Sequence, residues 1–133
     1  EKELAIVRSA QALSQVGDLA KSAKMINGIS FVSSVMADGV SGDDLRKIAI
    51  DLRSREDKSV VALISSNDGK PVLVVATSEG ARSSGVKAGA LVKIGSTVLG
   101  GGGGGKDDFA QGGGIDSSKS QDALTAISNA LVG

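Results

Sequence analysis

Two apolar runs joined by a short polar turn constrain the fold of this chain of 133 residues more than any other feature. The runs are "SVVALISS" at residues 59–66 and "PVLVVATS" at residues 71–78, with "NDGK" between them. Both are almost continuously apolar, which indicates strands covered on both faces. Asp68-Gly69 offers the positive φ angles of a tight turn. The sequence therefore predicts a hairpin inside a sheet that has helices on both of its faces.

The segments around this hairpin predict further elements. "NGISFVSSVM" is β-branched and aromatic and is bounded by Asn27-Gly28 and Asp38-Gly39, as expected of a strand. In "SGDDLRKIAIDLRSRED", Ser41 or Asp43 can cap a helix, and the early aspartates suit its positive end. The apolar stripe of that helix is Leu45, Ile48, Ala49 and Leu52. Strand, helix, strand and strand in this order indicate an α/β domain.

Helical periodicity recurs at three other places. Residues 3–26 carry apolar side chains at three- and four-residue steps, although Gly17 interrupts them. In "SSGVKAGALVKIG", the spacing of Val86, Ala90 and Ile94 favours a helix closed by Gly95. "DSSKSQDALTAISNALV" predicts a closing helix capped by Ser117 or Ser118. Its core-facing residues are predicted to be Ala123, Leu124, Ile127, Ala130 and Leu131.

These elements predict two parts of the chain. Residues 1–26 are expected to be a helical segment, and residues 27–133 a small globular α/β domain with a central mixed sheet flanked by helices. The first residue is not methionine, and the chain begins in helical periodicity, so we expect a piece of a longer polypeptide.

The composition limits the functions that the chain can perform alone. Fifteen basic and fifteen acidic side chains cancel, so no global field attracts polyphosphate. Without Cys or His, the chain lacks thiol nucleophiles, the commonest general base and the usual zinc ligands. Two aromatic residues leave almost no platform for stacking single-stranded bases. The apolar runs are too short to span a bilayer, so we expect no membrane contact. The absence of cysteine fits the cytoplasmic location that we expect.

The glycine segment, residues 100–114, has the sequence "GGGGGGKDDFAQGGG". It permits three interpretations. A flexible linker is the simplest, but the closing helix that follows needs a core. A nucleotide-binding P-loop fits Gly100, Gly105 and Lys106, yet Asp107 stands where Ser or Thr would hold Mg²⁺. Bare backbone that receives an anion or folded RNA is the third interpretation, with Lys106 as a local cation.

The same segment resembles the glycine-rich Ala-Gln-Gly-Gly signature of the C-terminal domain of alanyl-tRNA synthetases. "KAGALVK", "LRKIAIDLRSR" and "DALTAISNAL" also follow that family's order, so the resemblance covers nearly the whole chain. It implies a DHH-associated type of nucleic-acid-binding module that docks on the outer corner of tRNA. Such a module helps to present one tRNA to the aminoacylation and editing domains of the parent ligase.

The resemblance also implies partners and contact residues. Alanine-accepting tRNA and the rest of the same polypeptide are the expected partners, with a homodimer through residues 1–26 as a further one. No cofactor is expected in this part of the chain, whereas the parent enzyme would use ATP, Mg and Zn. The chain itself is expected to have no catalytic residue. The residues expected to contact tRNA are Gly101, Gly102, Gly103, Gly104, Gly105, Lys106, Asp107, Gln111, Gly112 and Gly113.

Two alternatives stay open. The chain could be an oligomerisation module in which the glycines serve close packing. It could also be the substrate-binding domain of a DHH-type phosphoesterase, although that family typically places a histidine after the glycines and this chain has none.

Individual side chains carry further expectations. Gln111 could read a base or hold the glycine segment closed, and Phe109 is expected in the core. Arg46, Arg53 and Arg55 are interpreted as the solvated face of their helix. Asp107 and Asp108 are interpreted as solvated acids rather than a metal pair. Gly103→Val combined with Lys106→Glu is expected to weaken tRNA binding while leaving thermal unfolding little changed.

Overall fold

The fold is seen in a computed structural model that describes residues 23–36, 39–67 and 69–132. Its elements alternate between strands and helices along the chain. The strands are β1 (Lys24–Ile26), β2 (Ile29–Val35), β3 (Ser59–Asn67), β4 (Lys70–Thr77), β5 (Gly103–Gly105) and β6 (Phe109–Gly113). The helices are α1 (Gly42–Arg53), α2 (Glu79–Ser83), α3 (Ala88–Val98) and α4 (Ser120–Val132), with a 3-10 turn at Ser117–Lys119 before α4.

The six strands form one mixed sheet in the order β1-β2-β3-β4-β6-β5. Only the pair β2 and β3 is parallel, as their connection through helix α1 requires. All other neighbours are antiparallel, including the predicted central hairpin, in which Ile64 pairs with Leu73. The predicted mixed sheet is therefore confirmed, with β5 at one edge.

Helices cover both faces of the sheet, and each face has its own apolar cluster. Helix α1 buries Leu45, Ile48, Ala49 and Leu52 against one face, as its apolar stripe predicted. Helices α3 and α4 cover the opposite face, where Ile127 and Leu73 belong to the same cluster. Alternate residues of β3 and β4 supply the two clusters, which explains why both runs are continuously apolar.

The beginning of the described chain corrects one expectation. The helical segment was expected to reach residue 26, but Lys24–Ile26 form strand β1. Asn27 and Gly28, with φ angles of 51° and 80°, turn the chain directly into β2. This is a hairpin turn of the positive-φ kind that Asn-Gly favours. Residues 1–22 of the predicted helical segment, including Gly17, lie outside the described residues.

The predicted third helix is confirmed, but its end and its buried face differ from expectation. Helix α3 continues through Gly95 to Val98, and Gly95 lies buried in its interior. A Cβ at Gly95 would approach Leu73 and Ile127, so the glycine serves close packing between α3 and its neighbours. Leu91 and Val92 are buried instead of Ala90, which is exposed.

The closing helix is likewise confirmed with small differences. Asp116, rather than Ser117 or Ser118, supplies a capping side chain, but it caps the 3-10 turn before α4. Its carboxylate accepts a hydrogen bond from the Ser118 amide at 3.0 Å. Ala123, Leu124, Ile127 and Leu131 are buried as predicted, whereas Ala130 is exposed.

Candidate functional site

The glycine segment is a β-hairpin and not a loop. Strands β5 and β6 pair antiparallel, with Gly104 opposite Gln111, and β6 also pairs with β4. We call residues 103–113 the glycine hairpin. Its pairing to the central sheet rules out the flexible linker for these residues. The P-loop geometry is also ruled out, since Lys106 follows a strand and not a loop that opens into a helix.

One face of the glycine hairpin is packed so closely that side chains do not fit. A Cβ at Gly103 would lie 2.8 Å from Val92 Cγ1 and closer still to the Gly112 backbone. A Cβ at Gly105 would lie 2.6 Å from the Cα of Ala110, and one at Gly112 would overlap Ser96 Oγ. Gly103 and Gly112 therefore let helix α3 lie directly on the strands, and Gly105 lets β5 lie close to β6.

The close approach between α3 and Gly112 involves Ser96. Its side chain is fully buried on α3 beneath Gly112, and its hydroxyl has no hydrogen-bond partner within the described ranges. A small residue is needed here because the hydroxyl nearly touches the strand. Ser96 thus belongs to the support of the hairpin and has no accessible surface for chemistry.

The alternate glycines point away from α3 into open space. A Cβ at Gly102 or Gly104 would meet no heavy atom of the described residues within 4 Å. Both residues are exposed, and so is the next alternate residue, Lys106. Since strand residues alternate between faces, an added Cβ would collide at 103 and 105 but not at 102 and 104. The bare backbone next to a cation is the surface to which another molecule can come closest.

The turn between β5 and β6 is held by the elements around it. The Asp107 carbonyl accepts hydrogen bonds from the Thr77 hydroxyl and from the Ala88 amide, the latter at 2.9 Å. The Asp108 carbonyl accepts from the Thr77 amide at 3.0 Å and from the Arg53 guanidinium at 2.9 Å. Arg53 was interpreted as part of a solvated helix face, and this contact corrects that interpretation. Three elements thus hold the turn and fix the position of Lys106.

The second face of the hairpin faces helix α1. Phe109 is half-buried against the α1 cluster, so it joins the core only in part. The Arg46 guanidinium carbon lies 5.3 Å from the centroid of the Phe109 ring, within cation–π range. The Gln111 side chain lies against Gly42 at the start of α1, where a Cβ would be 3.0 Å from Gln111 Nε2. Both Arg46 and Gln111 remain exposed.

These side chains border a notch of about 320 Å³ on the α1 side of the hairpin. We call it the α1-side notch. Its lining includes Arg46, Gly104, Lys106, Asp108, Phe109 and Gln111. Two cations and one carboxylate therefore surround a stretch of bare backbone.

The structure gathers all the predicted contact residues in or beside the hairpin but divides them by role. Gly101, Gly103, Gly105 and Gly112 are packing positions, since their virtual Cβ atoms would collide with backbone or buried side chains. Gly113 is half-buried with its Cβ direction toward the Pro71 carbonyl, at 2.9 Å. Gly102, Gly104, Lys106, Asp107 and Gln111 are exposed. Gly101 and Gly105 are exposed as well, although a Cβ at either would collide with the neighbouring backbone. The expectation that replacing Gly103 leaves stability unchanged is therefore wrong.

The donor groups do not suit a metal centre in the described part of the chain. No group of three or more His, Cys, Asp or Glu residues lies close enough there to hold an ion. The Zn and Mg that the resemblance implies for the parent enzyme thus do not fit these residues.

No helix in the described ranges is long and apolar enough to cross a membrane.

The family model of the DHHA1 domain matches residues 28–133, which is most of the chain. The chain belongs to the DHHA1 domain family. The match begins at Gly28, at the turn between β1 and β2, and includes the glycine hairpin.

Relatives of this DHHA1 domain carry the name alanine–tRNA ligase. The ligase of Paenarthrobacter aurescens is 45% identical over 98% of this chain, and that of Streptomyces avermitilis is 43% identical over 96%. The chain spans only 15% of the length of either relative.

Solved structures support the same assignment. The C-Ala domain of Aquifex aeolicus alanyl-tRNA synthetase has a TM-score of 0.78 and 31% identity, with 84% of this chain and 99% of that chain covered. RecJ of Thermus thermophilus has a TM-score of 0.61 at 11% identity, covering 95% of this chain and 18% of that one, which shows a shared fold only. The predicted likeness to the synthetase C-terminal domain is thus confirmed.

Sequence reasoning missed Arg46 and Thr77 as parts of this DHHA1 site. Both reach the hairpin from elements distant in sequence, α1 and β4, so no local spacing identifies them. The only signal in the sequence was indirect. An arginine can lie over an aromatic ring, and Phe109 is one of only two aromatic residues in the chain.

Proposed function

We propose that this chain is the tRNA-binding module of an alanine–tRNA ligase and docks on the outer corner of tRNA through the glycine hairpin. In this proposal the module helps to present alanine-accepting tRNA to the aminoacylation and editing domains of the same polypeptide. The parent ligase is cytoplasmic and uses ATP, Mg and Zn outside this domain. The chain contributes binding and no catalysis.

The observation that carries the proposal is the bare face at Gly102 and Gly104, next to Lys106 on a hairpin held by three other elements. A backbone without side chains lets an RNA strand approach closely and recognises shape more than sequence. Because the chain has equal numbers of acidic and basic residues, attraction must be local, and Lys106 supplies it. The likeness to the C-Ala domain supports the choice of tRNA.

The test compares two charge reversals in the whole chain, Lys106→Glu and Lys93→Glu. Both lysines are exposed, but Lys93 lies on helix α3 and does not line the α1-side notch as Lys106 does. We expect the chain to bind folded alanine-accepting tRNA and to lose most of this affinity in Lys106→Glu. Lys93→Glu should change it little. Lys106→Ala should also lower the slope of log affinity against log salt by about 0.7–0.9 if Lys106 meets one phosphate.

A second RNA tests the docking position. A hairpin that reproduces only the acceptor stem lacks the corner formed by the D and T loops, so it should bind much more weakly than the full tRNA. Equal affinity for both RNAs would contradict docking at the corner. Binding of mononucleotides in place of tRNA would instead support the substrate-binding domain of a phosphoesterase.

Assembly is a separate prediction. The homodimer expected through residues 1–26 concerns a segment of which residues 1–22 lie outside the described part. Sedimentation of the chain at several concentrations, with and without residues 1–22, tests it. A dimer that is lost on deletion, together with no tRNA affinity, would favour the oligomerisation module.

A further inference from the structure

The α1-side notch has a geometry that a phosphate backbone alone does not explain. Its volume of about 320 Å³ is at the small end of ligand pockets, which are about 300–1,000 Å³. Asp108 lines it together with Arg46 and Lys106, so the notch is not uniformly basic. The negative charge of Asp108 disfavours a phosphate in the notch, whereas it favours a group that carries N–H donors.

Arg46 supplies a flat surface at the rim of this notch. Its guanidinium carbon is 5.3 Å from the Phe109 centroid, and the residue as a whole is exposed. Arg46 therefore lies over one face of the half-buried Phe109 ring and is itself accessible from solvent. Guanidinium planes are surfaces on which unstacked RNA bases lie.

The remaining walls suit the edge of a planar base. Gly104 leaves the backbone bare, since no heavy atom of the described residues lies within 4 Å of its Cβ position. Gln111, which pairs with Gly104 across the hairpin, has an amide that both donates and accepts hydrogen bonds. The Gln111 amide, the Arg46 guanidinium and the bare backbone at Gly104 thus belong to residues that line the same notch.

We propose that the α1-side notch holds one unpaired RNA base, stacked on the Arg46 guanidinium with its edge toward Gln111 and Asp108. The base presents N–H donors to the carboxylate, as guanine, adenine and cytosine do and uracil does less well. This inference rests on the proposed function and adds a base-specific contact to a surface that otherwise recognises backbone shape. Arg46 is then a binding residue, although its place on α1 gave no sign of it.

The experiment uses the whole chain and folded alanine-accepting tRNA transcripts, each with one unpaired nucleotide of the D or T loop made abasic. Affinities are measured for wild type, for Arg46→Lys and for the matched control Arg55→Lys. Arg46→Lys keeps the charge but loses the planar group. Arg55 lies on the C-terminal side of the same helix and pairs with Asp51 at 3.2 Å.

We expect Arg46→Lys to weaken binding of intact tRNA about tenfold, with an unchanged salt slope, and Arg55→Lys to change it little. One abasic tRNA should lose a similar factor with wild type. On that tRNA alone, wild type and Arg46→Lys should bind equally, because the two changes remove the same contact. Urea unfolding checks that both variants are as stable as wild type.

Two results would overturn the base site while leaving the proposed function intact. In the first, Arg46→Lys binds intact tRNA as tightly as wild type although Lys106→Glu does not. In the second, the loss in Arg46→Lys persists on every abasic tRNA, which assigns Arg46 to backbone contact. Failure of wild type to bind any tRNA would reject the proposed function and this inference together.

Discussion

At the scale of single residues, the same added methyl group should lower the stability at one glycine of β5 and leave it nearly unchanged at the next. Gly103→Ala places a Cβ against Val92 and the Gly112 backbone, so we expect it to lower the free energy of unfolding by about 1–3 kcal/mol. Gly104→Ala places its Cβ in open space, and its change should stay within about 0.5 kcal/mol. Urea unfolding of both variants measures the difference.

The tRNA affinity of the same two variants separates packing from contact. Gly104→Ala should weaken binding of folded tRNA although its stability is unchanged. If Gly103→Ala were as stable as wild type, the packed face would be wrongly assigned.

The carboxyl group of Asp116 carries a prediction about pH. Hydrogen bonds from the Ser118 hydroxyl and then from the Ser118 amide hold the pKa of Asp116 below its ordinary value of 3.8. A lowered pKa in the folded chain means that the capping contact stabilises the fold above the unfolded pKa. The contribution is lost as the pH falls through the folded pKa.

Ser118→Ala removes the larger of these two causes. We expect the pKa of Asp116 to rise toward its ordinary value, as read from an NMR titration of its carboxyl carbon. The amide of residue 118 still donates, so the value should not rise above the ordinary one. An unchanged titration midpoint would show that the hydroxyl does not bond to the carboxylate.

At the scale of elements, the turn of the glycine hairpin depends on β4. Thr77 is fully buried, and its hydroxyl donates to the Asp107 carbonyl. Thr77→Val keeps the shape but removes this donor, and we expect a loss of about 0.5–1.5 kcal/mol in the free energy of unfolding. Amide exchange at Lys106, whose N–H bonds to the Phe109 carbonyl at 2.9 Å, should become faster as well.

The matched control is Thr97→Val on helix α3. The Thr97 hydroxyl also donates to a carbonyl, that of Lys93 at 2.8 Å, but it is exposed and water can replace the bond. Its loss should stay below about 0.5 kcal/mol. Equal losses in the two variants would mean that Thr77 does not hold the turn.

The elements that the sequence predicted well are those whose pattern is local. The stripe Leu45, Ile48, Ala49 and Leu52 identifies α1 because a helix repeats every 3.6 residues, and all four are buried. The two apolar runs of β3 and β4 identify the central hairpin for a similar reason. Ser41, which caps α1, was also visible, since its side chain accepts from the Asp44 amide at 3.2 Å.

The glycine hairpin could not be found in this way. Glycines carry no side chains whose alternation would mark a strand, so β5 exists only because β6 and α3 lie beside it. Strand β1 is a different case, since Asn27-Gly28 is a hairpin signal that was interpreted only as a strand boundary. The contact between Arg46 and Phe109 joins α1 to β6, which are distant in sequence, so it becomes visible only when the fold is known.

At the scale of the whole molecule, the sheet separates two apolar clusters. Ile48 belongs to the cluster under α1 and Ile127 to the cluster under α3 and α4. We expect Ile48→Val and Ile127→Val to cost about 0.5–1.5 kcal/mol each. Because the two residues belong to different clusters, the effect of the double variant should equal the sum within about 0.5 kcal/mol.

Urea unfolding of the two single variants and the double variant measures this additivity. A single transition is expected in every case, since both clusters share β3 and β4. An interaction free energy above about 0.5 kcal/mol would show that the sheet transmits repacking from one face to the other.

The alternation along β5 also determines how this segment can change over evolutionary time. Packing within the chain requires glycine at 103 and 105, because a Cβ there would collide with neighbouring atoms. Lineages that keep this packing are therefore expected to keep both glycines. Packing does not require glycine at 102 and 104, because a Cβ there would meet no heavy atom of the described residues within 4 Å. Under the proposed function, a lineage that does not bind tRNA could accept alanine or serine at both positions. Under the proposed function, the variability of residues 102 and 104 among relatives therefore indicates whether this surface still binds tRNA.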